Sequence, residues 1–102
     1  ITAYLMPLST HGAMDAAINW YRAGARDGSV LASADVPKVA VPTLYLWGDQ
    51  DSSVGYEAAT RTAQYVTGPY RFEILKGLGH FLTDQNPERV TAHLLEHIRR
   101  HS

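Results

Sequence analysis

Apolar residues in the first third of the chain recur at the spacing of a helix. The recurring positions are Ala13, Met14, Ala16, Ala17, Ile18, Trp20 and Tyr21. With Ser9 and Thr10 as N-cap residues, this pattern predicts a helix from about residue 12 to 23. We expect the helix to end near Gly24 or Gly28, because glycine tolerates the left-handed conformation that closes helices.

The rest of the chain alternates between segments of strand type and of helix type. Residues 28–42, rich in small residues and with two prolines, indicate a connector and a domain boundary. Residues 43–47 and 70–75 have the composition and flanking turns of strands. Residues 55–66 and 87–100 are predicted helices, the second opened by an asparagine cap and a proline. The side chains expected to pack inward are Ala58, Ala59, Thr62, Ala63 and Val66 in the first helix and Val90, Leu94, Leu95 and Ile98 in the second.

The order strand, helix, strand, helix with short loops predicts a parallel sheet with crossover connections. Two strands alone make a poor sheet, and a parallel sheet needs both of its faces covered. We therefore expect an α/β fold in which the rest of a larger sheet is missing from these residues or is supplied by another chain.

Composition and charge exclude several kinds of function. A chain of 102 residues with 45% hydrophobic residues can form one small body with a modest core. Nine basic against ten acidic residues give a net charge of -1, so we expect no nucleic-acid partner. The chain has no apolar run long enough to span a bilayer and no targeting signal, so we expect no membrane partner and a cytoplasmic location. The absence of cysteine excludes thiolate nucleophiles and disulfides.

Two residues capable of catalysis follow the two predicted strands. Asp51 comes after the first strand, and His80 comes after the second. The carboxyl ends of parallel strands lie at one edge of a sheet, so these side chains can approach each other. A carboxylate there would orient the imidazole as a general base, and Gly79 would allow close backbone approach beside it. The alternative is that Asp51 closes a turn and His80 is an ordinary loop histidine.

The run from Pro42 to Asp51, followed by Gly79-His80-Phe81 and by Pro87-Glu88-Arg89-Val90, resembles the end of an α/β-hydrolase-fold enzyme. The resemblance is closest to the epoxide hydrolase and haloalkane dehalogenase-like group. In that family a Gly-x-x-Asp motif supplies the triad acid, which matches Asp51 and not Asp49, and a Gly-His-Phe motif supplies the triad histidine, which matches His80.

This resemblance implies an α/β fold class, namely the C-terminal portion of an α/β-hydrolase fold: the end of a lid helix plus two parallel strands with flanking helices. Residues 1–36 would form the end of the lid region and the connector. Residues 37–102 would form the C-terminal part of the core.

The segment from Ala17 to Arg22 resembles the closing helix of the lid in epoxide hydrolases. In those enzymes the tyrosine of this motif donates a hydrogen bond to the epoxide oxygen, and Tyr21 occupies its position. The resemblance implies hydrolysis of a small-molecule epoxide through an alkyl-enzyme ester, with no metal or organic cofactor. The alternative is that Trp20 and Tyr21 are core aromatics of a helix that packs on the sheet.

The chain contains no Gly-x-Ser-x-Gly motif, and the family's nucleophile precedes its acid and histidine. We therefore expect the nucleophile upstream of Ile1 and expect the chain alone to be inactive. A serine nucleophile would make the protein an esterase-like hydrolase instead. A third hypothesis is a non-catalytic assembly fragment, whose partner is the missing N-terminal part of the hydrolase or a second chain.

The segment His93-Leu94-Leu95-Glu96-His97 matches the H-x-x-E-H signature of inverted zinc peptidases. That signature needs a further ligand well downstream, and only five residues follow His97 before the end of the sequence. We therefore interpret these residues as a partly solvated helix face and expect no metal there.

Overall fold

The computed structural model describes residues 1–26 and 36–102, and the chain divides into two compact units, Ile1–Val36 and Pro37–Ser102. Gly28 and most of the predicted connector lie outside the described residues. Within the two described ranges, no helix is long and apolar enough to cross a membrane.

The first unit contains two helices where the apolar pattern predicts one. Helix α1 spans Thr2–Leu8, and helix α2 spans Ala13–Arg26. Ser9 is the C-cap of α1, and its hydroxyl donates to the carbonyl of Met6, so its assignment as an N-cap of α2 is wrong. Helix α2 also continues through Gly24, because one glycine inside a helix costs only about 1 kcal/mol.

The second unit is built on a parallel pair of strands, β1 over Thr43–Gly48 and β2 over Tyr70–Leu75. Their register pairs the first residues of both strands and the last residues of both strands, Gly48 with Leu75. Both strands therefore end at the same level. The predicted parallel arrangement is confirmed.

The connection between the strands differs from the single helix expected over residues 55–66. Helix α3 spans Tyr56–Arg61 and is followed by a 3-10 helix over Thr62–Tyr65. Ala59 is fully buried, but Ala58 and Ala63 are exposed, so those two were wrongly assigned to the core. Because a 3-10 helix has three residues per turn and an α-helix has about 3.6, the side chains from Thr62 onward no longer follow the α-helical face that the spacing predicted.

A short helix, α4 over Leu82–Gln85, precedes the last helix, α5 over Pro87–Arg100. The side chain of Asn86 accepts a hydrogen bond from the Arg89 amide, as an N-cap should, with proline at the first helical turn. Of the four residues expected to pack inward from α5, only Val90 is buried; Leu94, Leu95 and Ile98 are about half exposed. Two strands offer too little surface to cover the rest of this apolar face.

The buried core lies near the carboxyl ends of the strands. Among the described residues, the buried hydrophobic side chains are Trp47, Ala59, Leu75 and Val90, of which Trp47 is the most exposed at 6%. Trp47 and Leu75 lie at or next to the last residues of their strands, and Val90 lies in the first turns of α5. The best-packed part of this unit therefore supports the loops that leave the sheet at that edge.

Candidate active site

Two loops leave the carboxyl edge of the sheet and meet there. The acid loop, residues 49–54, follows β1, and the histidine loop, residues 76–81, follows β2. Nδ1 of His80 lies 2.9 Å from Oδ2 of Asp51, within hydrogen-bonding distance. The structure thus brings together the two residues that the strand order predicts to approach each other.

Asp51 is held on both of its oxygens. Oδ2 faces His80, and Oδ1 accepts hydrogen bonds from the amides of Ser53 at 2.7 Å and Val54 at 2.9 Å. The indole N–H of Trp47 donates to the carbonyl of Val54 at 2.8 Å, which anchors the loop to the core. Only 7% of the Asp51 side chain is exposed, so its direction is well defined.

These contacts favour the charged form of the carboxylate. The hydrogen bond with His80, followed by the one from the Val54 amide, lowers the pKa of Asp51 below its usual value and outweighs the opposing effect of burial. Burial, and then the negative charge of Asp51, raise the pKa of Tyr45 on β1. An ionised carboxylate beside a neutral phenol is therefore the expected state at neutral pH.

An ionised Asp51 fixes the state of His80. Because a carboxylate only accepts hydrogen bonds, Nδ1 of His80 must donate, and Nε2 is then the nitrogen that can accept a proton. The His80 side chain is 45% exposed, and Phe81 contacts its ring edge-to-face at a centroid distance of 5.3 Å. An oriented imidazole that water can reach is equipped to act as a general base.

Backbone contacts bring the two loops close together at the strand ends. A Cβ atom on Gly48 would lie 2.2 Å from the carbonyl oxygen of Leu78, so only glycine fits there. Gly77 has a φ of +79°, the left-handed conformation of a tight turn. The close backbone approach expected at Gly79 occurs between its carbonyl and Gly48, and the left-handed turn lies at Gly77.

Polar side chains that sequence reasoning left without a role hold the histidine loop. Oδ1 of Asp49 accepts the Gly77 amide at 2.7 Å, and Oε1 of Gln85 on α4 accepts the Gly79 amide at 2.6 Å. For Asp49, the sequence contains one indication of such a role. The segment Gly48–Asp51 carries two carboxylates, and because Asp51 pairs with His80, Asp49 is left to make a different contact.

Tyr21, the third candidate, belongs to the first unit. It lies on α2 and is 78% exposed, and the neighbouring Trp20 is 80% exposed. The first unit by itself buries neither ring, and the role of Tyr21 stays a prediction.

The H-x-x-E-H segment on α5 is engaged in other contacts. Glu96 forms ion pairs with Arg71 at 2.9 Å and with Arg100 at 2.6 Å, while Nδ1 of His93 lies 3.1 Å from the Arg71 guanidinium. Nε2 of His97 lies 3.3 Å from the carbonyl of Pro42. Among the described residues, no three His, Asp or Glu side chains are grouped as a metal site would require.

No family model matches the chain, but individual proteins and solved structures are similar to it. Epoxide hydrolase A of Mycobacterium tuberculosis is 35% identical over 81 residues, which are 79% of this chain and 25% of that protein. The crystal structure of epoxide hydrolase A from Mycobacterium thermoresistibile superposes on 79% of the chain with a TM-score of 0.68 and 31% identity, and the match covers 25% of that structure.

The chain is a C-terminal portion of an α/β-hydrolase fold, and its sequence is similar to that of epoxide hydrolases. It spans about a quarter of the length of the curated relatives it matches. A type II thioesterase from the borrelidin biosynthetic cluster shares the fold of this α/β-hydrolase portion, with a TM-score of 0.57 at 24% identity over 93% of the chain and 43% of that structure. The same framework therefore occurs in hydrolases that are named for other substrates.

Proposed function

We propose that this chain supplies the acid and the base of a nucleophile-histidine-acid triad in an epoxide hydrolase. The observation that carries the proposal is the 2.9 Å contact between His80 and the nearly buried side chain of Asp51, a contact that also lowers the pKa of Asp51. Residues 37–102 would form the end of the hydrolase core, and residues 1–36 would form the end of its lid. The similarity to epoxide hydrolases supports the choice of substrate class.

In the first step, a carboxylate from outside these residues attacks an epoxide carbon. The carbon–oxygen bond of the ring breaks, and an ester forms between the enzyme and the substrate. Tyr21 donates a hydrogen bond to the oxygen that leaves the carbon, and this oxygen takes up a proton from solvent to become the hydroxyl group. Among the described residues, Tyr21 is 78% exposed on α2, which is compatible with contact to a ligand.

In the second step, water cleaves that ester. Nε2 of His80 removes a proton from water as the water attacks the ester carbonyl, and Asp51 stabilises the imidazolium that forms. The carbon–oxygen bond of the ester breaks, the proton passes to the departing alkoxide, and the diol leaves. The second proton of the attacking water returns to solvent as the carboxylate is regenerated, so no cofactor is consumed.

The test is a trapping experiment on the full gene product that contains this chain, with styrene oxide as the probe. His80→Gln should stop the second step and leave the first intact, so intact-protein mass spectrometry should detect an adduct equal in mass to the epoxide. Removal of a general base should slow turnover by about 10²–10⁴-fold. An unmodified protein that retains full turnover would refute the proposal, and trapping of an acyl group from an ester substrate instead would indicate a serine esterase.

Tyr21→Phe provides a separate test of the lid residue. Loss of a hydrogen bond to a developing oxyanion should slow adduct formation by about 10²–10³-fold. Tyr65→Phe is the matched control, because Tyr65 is also an exposed tyrosine but lies on the 3-10 helix. Equal rates for the two variants would remove Tyr21 from the mechanism.

A non-catalytic, sheet-completing role is the competing possibility. It is motivated by the two-stranded sheet and by the half-exposed apolar face of α5. The assembly role would replace the catalytic one under two conditions. Other segments of the full gene product would pack on the apolar face of α5, and the protein would form no adduct in the trapping experiment.

A further inference from the structure

The acid loop and the histidine loop are joined by one carboxylate that the proposed triad does not use. Oδ1 of Asp49 accepts the amide of Gly77 at 2.7 Å, across 28 positions of sequence. The backbone reinforces the connection, because the amide of Asp49 donates to Leu75 at 3.3 Å and the amide of Gln50 donates to Leu78 at 2.9 Å. In addition to the His80–Asp51 contact, the side chain of Asp49 therefore links the two loops.

The bond to Gly77 acts at the turn that sets the path of the histidine loop. Gly77 is in the left-handed conformation at φ +79°, and its chain continues through two residues to His80. On the other side of that short path, Gln85 accepts the Gly79 amide at 2.6 Å. The loop is thus fixed at two amides, by the acid loop through Asp49 and by α4 through Gln85.

A displacement of this loop would act directly on the proposed base. The His80 side chain is 45% exposed, so its neighbours cover only about half of it and its position also depends on the loop backbone. Water could satisfy the Gly77 amide if Asp49 were removed, but water would not hold that amide at a fixed distance from β1. The distance between Nδ1 of His80 and Oδ2 of Asp51 should therefore depend on Asp49, which is not a member of the triad.

We propose that Asp49 is a positioning residue whose carboxylate clamps the histidine loop onto the acid loop and keeps His80 in line with Asp51. This inference rests on the proposed function, because it assigns Asp49 a role in the ester-cleavage step that His80 carries out. Asp49 acts through its hydrogen-bond acceptor, and its charge is not required.

Asp49→Ala and Asp49→Asn test the clamp in the full gene product, with pre-steady-state kinetics on styrene oxide. Asp49→Ala should slow cleavage of the ester by about 10- to 100-fold, as expected for a catalytic group displaced by a fraction of an ångström, and should leave adduct formation nearly unchanged. Asp49→Asn keeps an acceptor oxygen in place and should stay within about 3-fold of the wild type in both steps. If Asp49→Asn lost as much as Asp49→Ala, the charge and not the clamp would matter, and the proposal would fall.

The proton on Nδ1 of His80 provides a readout that needs no activity. In ¹⁵N-edited NMR spectra, Asp49→Ala should shift or broaden this resonance, and Asp49→Asn should preserve it. If the wild type hydrolyses no epoxide and the resonance still responds in this way, the proposed function fails while the clamp stands. An unchanged resonance in Asp49→Ala would overturn the clamp, and Asp49→Glu, which moves the acceptor by one methylene, replaces the alanine variant if that variant does not fold.

Discussion

Replacing Gly48 by alanine should displace the histidine loop, and we expect this to slow catalysis by more than the loss of stability alone explains. Its Cβ would lie 2.2 Å from the carbonyl oxygen of Leu78 and 2.6 Å from that of Gly79. To restore an ordinary van der Waals contact of about 3.5 Å, the histidine loop would have to withdraw by more than about 1 Å. A shift of that size can cost about 10²-fold in rate when it displaces a catalytic group.

Gly68→Ala is the matched control for Gly48→Ala. A Cβ on Gly68 would lie 2.1 Å from the carbonyl oxygen of Ala40, a backbone overlap of the same size, but Gly68 precedes β2 and lies at the opposite end of the strands from the site. Overpacking should therefore destabilise both variants by about 1–3 kcal/mol. Only Gly48→Ala should also slow ester cleavage by about 100-fold for each folded molecule.

The measurement combines urea unfolding of the full gene product with single-turnover kinetics on styrene oxide, under conditions in which both variants are folded. Normalising the rate to the folded fraction removes the effect of stability. If Gly48→Ala retained its rate, or if Gly68→Ala lost as much, the close contact at Gly48 would not control the position of His80.

Two further predictions concern stability. Because the pKa of Asp51 is lowered on folding, its contribution to stability is present above its ordinary pKa of 3.8 and is lost as the pH falls through the lower folded-state value. The urea midpoints of the wild type and Asp51→Asn should therefore differ at neutral pH and converge in acid. A difference that stays constant with pH would show that folding does not lower the pKa of Asp51. Leu75→Ala should cost about 2–5 kcal/mol in urea unfolding, because Leu75 is only 1% exposed. Ile74→Ala, next to it but 41% exposed, should cost less, and equal losses would show that the core is not centred on Leu75.

Local patterns were sufficient to predict the elements that depend on neighbouring residues. The strand over residues 70–75 and the last helix from Pro87 have the predicted bounds, because side-chain spacing and an Asn-Pro start act within a few positions of the chain. Helix α1 was missed, since its seven residues carry no buried face and include a proline. The resemblance to α/β-hydrolases had a different basis: it depended on several short motifs in the right order.

Tertiary structure alone decided which residues are buried and which contacts hold the loops. Leu94, Leu95 and Ile98 have the spacing of a buried face, but burial depends on how much sheet lies opposite, and two strands do not cover them.

The sequence by itself determined that an acid and a histidine follow two parallel strands, since that follows from element order. The 2.9 Å contact of His80 with Asp51, and the separate bond of Asp49 to Gly77, depend on strand register and on the path of two loops. These are contacts between residues 28 and 29 positions apart, so no pattern of near neighbours contains them. Their geometry arises only when the strands pair and end at the same level.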